Sequence, residues 1–356
     1  MNCMQNLTRT QIPNDVIMDY IRLYKSIGNN RHNHDVLEGD YEVMVRQTVR
    51  NNTYYFSRLF DVKVSDARFK SLIYKGVKTK NKEERLVLQI YNAFIKIHED
   101  ADSFELLVSE IQDLARFLYS DLVTPQKLQF RKLKSTGKTT SLLTSKNGST
   151  RESLEQLIHL YQRALEHQEY EVAYIIMNFY IDFIHINPFY DKNQEVGLML
   201  MFILLLTSGY EVFEYISFFE LLYKRREDFN EAVIRSSFNW EMGYAQILPL
   251  HQLVLEFSMN AYETLNDLVR DYQFDKHLNK SDNVENTILK LPEIFSKDDI
   301  RNVHPYISDS TINRTLKRLR DDKKIRPLGK GRSAKWMKLV ETNSKKLRFE
   351  QLDLKL

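Results

Sequence analysis

Apolar residues recur at spacings of three and four through most of the first 270 positions. Leu86, Ile90, Phe94 and Ile97 form one stripe, and the stretches Leu106–Leu118 and Leu154–Leu165 carry two more. That period predicts amphipathic helices from about Tyr41 to Asp271. Val196–Leu206 is apolar at almost every position. It is about half as long as a bilayer span requires, so it predicts a buried central helix. The pattern changes at Gln129–Ser149, which is rich in Ser, Thr, Gly and Lys. Phe130, Leu133 and Leu142-Leu143 lie on either side of Ser135-Thr-Gly-Lys138 and predict a short β-hairpin. Residues 1–40 are polar, with a weak helical signal around Val16–Ser26.

Beyond position 290 the pattern shortens. Leu291–Ile300 leads into a helix with Ser296 as its cap, and His304-Pro305 ends it. Ser308-Asp-Ser-Thr311 caps a second helix, Thr311–Lys324, whose apolar face is Ile312, Leu316 and Leu319. Arg314, Lys317, Arg318 and Arg320 face outward. Ile325-Arg-Pro-Leu328 and Ala334–Leu339 flank Gly329-Lys-Gly-Arg-Ser333, a hairpin with a basic tip.

Composition sharpens this division. The 356 residues carry a net charge of +3, with 43% hydrophobic and 12% aromatic residues, which are globular values. Ser296–Leu339 holds thirteen Lys/Arg against five acids, a surplus of +8 that leaves −5 for the rest. A basic module on a mildly acidic body points to a polyanion partner. Cys3 is the only cysteine, which excludes an intramolecular disulfide and a thiolate metal cluster. Met1–Gln11 lacks an apolar core, so no signal peptide is expected and a cytoplasmic protein without a membrane partner is. His32 and His34 have no further ligand nearby and read as a solvated loop. Ser135-Thr-Gly-Lys-Thr-Thr140 shares some residues with a P-loop. Lys132 stands where the first glycine is required, and no strand-then-helix context follows.

The chemistry concentrates in Phe183-Ile-His-Ile-Asn-Pro-Phe-Tyr-Asp-Lys-Asn-Gln-Glu-Val-Gly197. A helix ends at Asn-Pro, a polar turn follows, and a new helix opens, a geometry suited to anions. The stretch resembles the loop of the Fic (AMP-transferase) family, His-Pro-Phe-x-Asp/Glu-Gly-Asn-Gly-Arg-x-x-Arg. By that resemblance Asn187 holds the catalytic His position, Asp191 the metal-binding acid and Asn193 the loop Asn. Lys192 and Gln194 replace the two glycines, Glu195 replaces the first phosphate-binding Arg, and Leu198 the last Arg. An amide has no usable basicity, so Asn187 cannot be the general base. Glu195 puts a negative charge where the family binds phosphate. His185, two residues upstream, is out of register with Phe189 and Asp191.

The resemblance extends further. The family's hairpin flap, which docks a target chain by strand addition, falls on 129–149. Ile216–Phe229, Phe238-Asn-Trp240 and Leu248-Pro249-Leu250 follow as in many members. An inhibitory-helix Glu falls on Phe60 of Phe56-Ser-Arg-Leu-Phe60-Asp61. The C-terminal module resembles a winged helix-turn-helix. There Thr311, Asn313, Arg314 and Lys317 would contact bases, Asn pairing with adenine and Arg with guanine. Lys330, Arg332 and Lys335 would hold phosphates.

The expected fold is therefore mainly α. It comprises a polar segment 1–40, a Fic-type helical bundle over 41–275 with a short β-hairpin flap, a winged helix over 286–341 and a tail, 342–356. The expected function is a DNA-binding regulator without AMP-transferase activity. Two alternatives stand beside it. One is a residual Mg-ATP-dependent adenylyltransferase using Asp191, Lys192 and Asn193, with Gln194 and Glu195 in the altered anion loop. The other is a scaffold that binds a protein at the flap. A homodimer would suit two-fold DNA sites.

Overall fold

The computed structural model describes residues 3–119, 122–132, 149–275, 280–329 and 335–339. Most of the expected flap (133–148), the tip of the basic hairpin (330–334) and the tail lie outside the described residues. The chain divides into two compact units, 1–269 and 270–356.

The first unit is helical. Its helices are α1 (Asn14–Ile27), α2 (Asn30–Leu37), α3 (Tyr41–Leu59), α4 (Asp66–Lys75), α5 (Lys82–Glu99), α6 (Val108–Tyr119), α7 (Thr150–His167), α8 (Val172–Ile186), α9 (Asn193–Thr207), α10 (Val212–Tyr215), α11 (Phe218–Lys224), α12 (Arg226–Ser236) and most of α13 (Leu248–Asp275). The antiparallel pair α8 and α9 forms the centre. From Val196 to Leu206 every residue of α9 is buried, as its unbroken apolar run predicts. Among the described residues no helix is long and apolar enough to cross a membrane. Gly197 lets the pair approach closely. A Cβ there would meet the buried Phe183 ring at 3.1 Å.

Residues 3–40 are part of this body rather than a loose polar leader. Val16, Leu23 and Leu37 are buried, and Tyr20 Oη lies 2.6 Å from Nε2 of buried His251. His32 and His34 sit on α2 rather than in a loop, with His34 Nδ1 3.1 Å from Tyr215 Oη. One apolar side chain per turn suffices to bury a helix when its partner surface is already apolar.

Asp182 is a polar anchor, fully buried in the middle of α8. Its carboxylate accepts the backbone N–H groups of Cys3 (2.8 Å) and Met4 (2.9 Å) and the indole N–H of Trp240 (2.7 Å). Burial pushes its pKa up to about 6.

The second unit holds the end of α13, α14 (Lys280–Lys290), β1 (Ile294–Phe295), α15 (Lys297–Val303), α16 (Asp309–Asp321), β2 (Ile325–Pro327) and β3 (Trp336–Lys338). The strands form an antiparallel sheet in the order β1-β3-β2, with Phe295 opposite Trp336 and Arg326 opposite Met337. Ser296 starts α15 through a capping box with Asp299. The residues just before it, read from sequence as part of the helix approach, form β1 instead. Helix α16 begins two residues earlier than expected, because Ser308 supplies the cap. Its buried face is Ile312, Thr315, Leu316 and Leu319.

Candidate functional site

The loop between α8 and α9 is held by its own backbone. Asn187 ends α8 in the left-handed conformation, φ +50°, which Asn tolerates better than most residues. Arg131 caps this helix end, donating from Nη2 to the Ile186 carbonyl (2.7 Å) and from Nε to the Asn187 carbonyl. Phe189 is fully buried and pairs with Phe130 in an antiparallel bridge. Thr150 donates to the Pro188 carbonyl at 2.7 Å. The Asn193 side chain closes the turn on itself: Oδ1 accepts from the Phe189 N–H (2.8 Å) and Nδ2 donates to the Phe189 carbonyl (2.9 Å). That explains an Asn at this position without a ligand.

Asp191, Lys192 and Glu195 each have an ionic partner. Asp191 Oδ2 lies 2.8 Å from Lys127 Nζ, and Oδ1 accepts the Lys192 N–H. Its pKa is lowered, first by the Lys127 hydrogen bond. Lys192 takes the left-handed backbone conformation, φ +69°, at the N-terminus of α9. Its ammonium lies 2.9 Å from Glu195 Oε1 and 5.2 Å from the centre of the Tyr119 ring. Glu195 is buried in the first turn of α9, where the helix dipole favours a carboxylate. An acid and an ammonium of this chain thus occupy the helix N-terminus that would otherwise draw an external anion.

The structure brings Asp191, Lys192, Asn193 and Glu195 together and leaves Gln194 exposed. His185 stacks on Trp240 with ring centres 4.6 Å apart, and burial lowers its pKa. Phe60 caps the end of α3 and packs against Phe56, 4.9 Å between ring centres. Lys127 and Arg131 were not singled out from sequence. Their only signal was basic character just before the Ser/Thr/Lys-rich stretch, some sixty residues from the atoms they meet.

In the second unit the structure sorts the basic residues. Arg318 and Lys324 both bond Glu285, at 2.6 and 2.7 Å, and tie α14 to α16 and β2. Lys324 in turn lowers the Glu285 pKa. Arg301 pairs with Asp298 and Asp309, and Arg320 with Asp321. Arg318 and Arg320 face outward as their helical positions suggested, and each is paired with an acid. Arg314 and Lys317 are exposed on α16 and meet no acid among the described residues. Asn313 lies on the same face, Thr311 is half-buried near the cap, and Lys335 is exposed just before β3. Lys330 and Arg332 lie outside the described residues.

The sequence matches no family model and no curated protein. Solved structures do share its architecture. A Fic family protein from Desulfovibrio desulfuricans aligns with TM-score 0.53 at 15% identity, over 93% of this chain and 98% of its own. A Fic domain containing signaling protein from Bacteroides thetaiotaomicron aligns with TM-score 0.57 at 14% identity, over 71% of this chain and 98% of its own. Fic-1 from C. elegans aligns with TM-score 0.54 at 12% identity, over 72% of this chain and 74% of its own. The chain has the Fic fold, mainly α with a small antiparallel sheet. At these identities the likeness concerns the fold alone.

Proposed function

We propose that this chain is a DNA-binding regulator built on a Fic-fold body that has given up nucleotide transfer. The observation that carries the reading is the outward face of α16, where Arg314 and Lys317 stand without an acidic partner among the described residues while neighbouring cations pair with the unit's own acids. Two helices, the second basic, followed by a basic β-hairpin match a winged helix-turn-helix, in which the second helix enters the major groove. Lys335, with Lys330 and Arg332 of the hairpin tip, would hold phosphates. Titrating a labelled duplex with the full chain at rising salt tests this. Binding is expected to weaken steeply, with a slope near −0.9 per phosphate contacted. Salt-independent binding, or none at low salt, would sink the reading.

The Fic fold suggests Mg²⁺ and ATP, and the loop residues do not fit them. Asp191 has an ammonium against the oxygen a metal would need. Glu195 presents a carboxylate to incoming phosphates, and Lys192 is spent on neutralising it. Asn187 offers no base. The alternative adenylyltransferase reading would need Lys127 and Lys192 to release their partners. Calorimetric titration of Mg·ATP into the full chain is expected to give no heat. Micromolar binding would revive that alternative.

A further inference from the structure

The exposed face of α16 carries Ser310, Asn313, Arg314 and Lys317, spaced to share one side of the helix. One of these side chains is already engaged. Lys297, the first residue of α15, places its Nζ 2.5 Å from Asn313 Oδ1. An ammonium only donates, so the amide atom that meets it must be the oxygen. The capping box of Ser296 and Asp299 fixes the start of α15, so Lys297 reaches Asn313 from a firm base.

An asparagine reads adenine with both ends of its amide: Oδ1 accepts from the N6 amine while Nδ2 donates to N7. Here the acceptor end faces an ammonium and the donor end is left for a partner. The Ser310 hydroxyl is engaged at the cap, 2.8 Å from Ser308 Oγ, and the polar atoms that remain are the Asn313 Nδ2, the spare N–H groups of Lys297, the Arg314 guanidinium and the Lys317 ammonium. All are donors. In the major groove guanine presents two acceptors, N7 and O6, and adenine presents an acceptor and a donor. An adenine amine pressed against this surface would be left unpaired, which is costly for a desolvated donor.

Building on the DNA-binding reading above, we infer that α16 selects guanine over adenine at the base pairs beneath Asn313 and Arg314, and that Lys297 sets this preference by holding the Asn313 amide oxygen. Lys297 need not touch a base. It acts by fixing which end of a neighbouring side chain does.

The test is selection of the full chain on a random duplex library, followed by titrations with the enriched site. Guanines are expected at adjacent positions on one strand. Replacing them with 7-deazaguanine, which lacks the N7 acceptor, is expected to weaken binding roughly tenfold per base. Lys297→Ala frees the Asn313 oxygen and is expected to bring adenine to parity at one of these positions while lowering overall affinity only a few-fold, as loss of a single cation would. Adenine enriched by the native chain, or a base preference unchanged in Lys297→Ala, overturns the inference. Steeply salt-dependent binding without base preference overturns it too, and leaves the DNA-binding reading standing. No duplex binding at low salt removes both.

Discussion

Replacing Arg314 and Lys317 together by alanine is expected to weaken duplex binding by about a hundredfold and leave the stability of the second unit nearly unchanged. Each side chain is exposed, so truncation opens no cavity, and surface changes of this kind shift stability by roughly 0.5 kcal/mol or less. Each loses a contact to a base or a phosphate worth about 1–3 kcal/mol, and about 2.7 kcal/mol in all is a factor of one hundred. The salt slope is expected to become shallower by up to about two contacts. Arg318→Ala is the contrasting variant. Its guanidinium bonds Glu285 of α14 at 2.6 Å, so its loss falls on the packing of α14 against α16. Duplex titrations with thermal melts separate the two effects. Affinity within threefold of native in the double variant would show that this face is not the one that meets DNA.

Removing the Asp182 carboxylate should produce the largest loss of stability in the first unit. Asp182→Ala leaves three buried donors, from Cys3, Met4 and Trp240, without their acceptor. Unsatisfied buried donors cost roughly 1–3 kcal/mol each, offset where the N-terminal segment peels off and finds water. About 3 kcal/mol at neutral pH is the expected sum, a fall in Tm of roughly 6–12 °C for a unit of this size. The pH dependence has a definite sign. The carboxyl titrates near 6 in the folded chain against 3.8 for the free group, so the folded state holds the extra proton between those values. Native stability therefore falls as pH rises through that window, and the variant lacks this change. The penalty of Asp182→Ala should be greater at pH 4.5 than at pH 7, by about 2 kcal/mol. Chemical denaturation at the two pH values reads this directly. Equal penalties would mean that the carboxyl is ionised throughout. A protease with access to residues 3–9 should cut the variant faster, because those backbone N–H groups are what Asp182 holds.

Much of this architecture can be read from single segments. The apolar run of α9, the stripes of α5, α6 and α7, and the Ser296 and Ser308 caps each follow from neighbours a few residues apart. So does the break at Asn187-Pro188. The N-terminal region is the counter-example. Its stripe of Val16, Tyr20, Leu23 and Ile27 is sparse, and it becomes a helix because α13 offers it a surface that includes His251. The roles of individual charges are harder still. Asp191 and Glu195 look alike in sequence as acids in a polar loop. In space one is bonded to Lys127 and the other to Lys192. Asn193 looks like a ligand-binding amide and spends both ends on the Phe189 backbone.

The sequence alone determined the helical class of the body, the helix break at Asn187-Pro188 and the basic character of the C-terminal module. These depend on residue type, hydrophobic period and short-range capping, which act along the chain. Only the tertiary structure decided which charges remain available to a partner. Lys127 meets Asp191 across sixty-four residues, Glu285 absorbs Arg318 and Lys324 across more than thirty, and Lys297 turns Asn313 from a neighbouring helix. A charge on the page is a potential interaction, and whether it is already satisfied depends on distances of about 3 Å that only the folded chain sets.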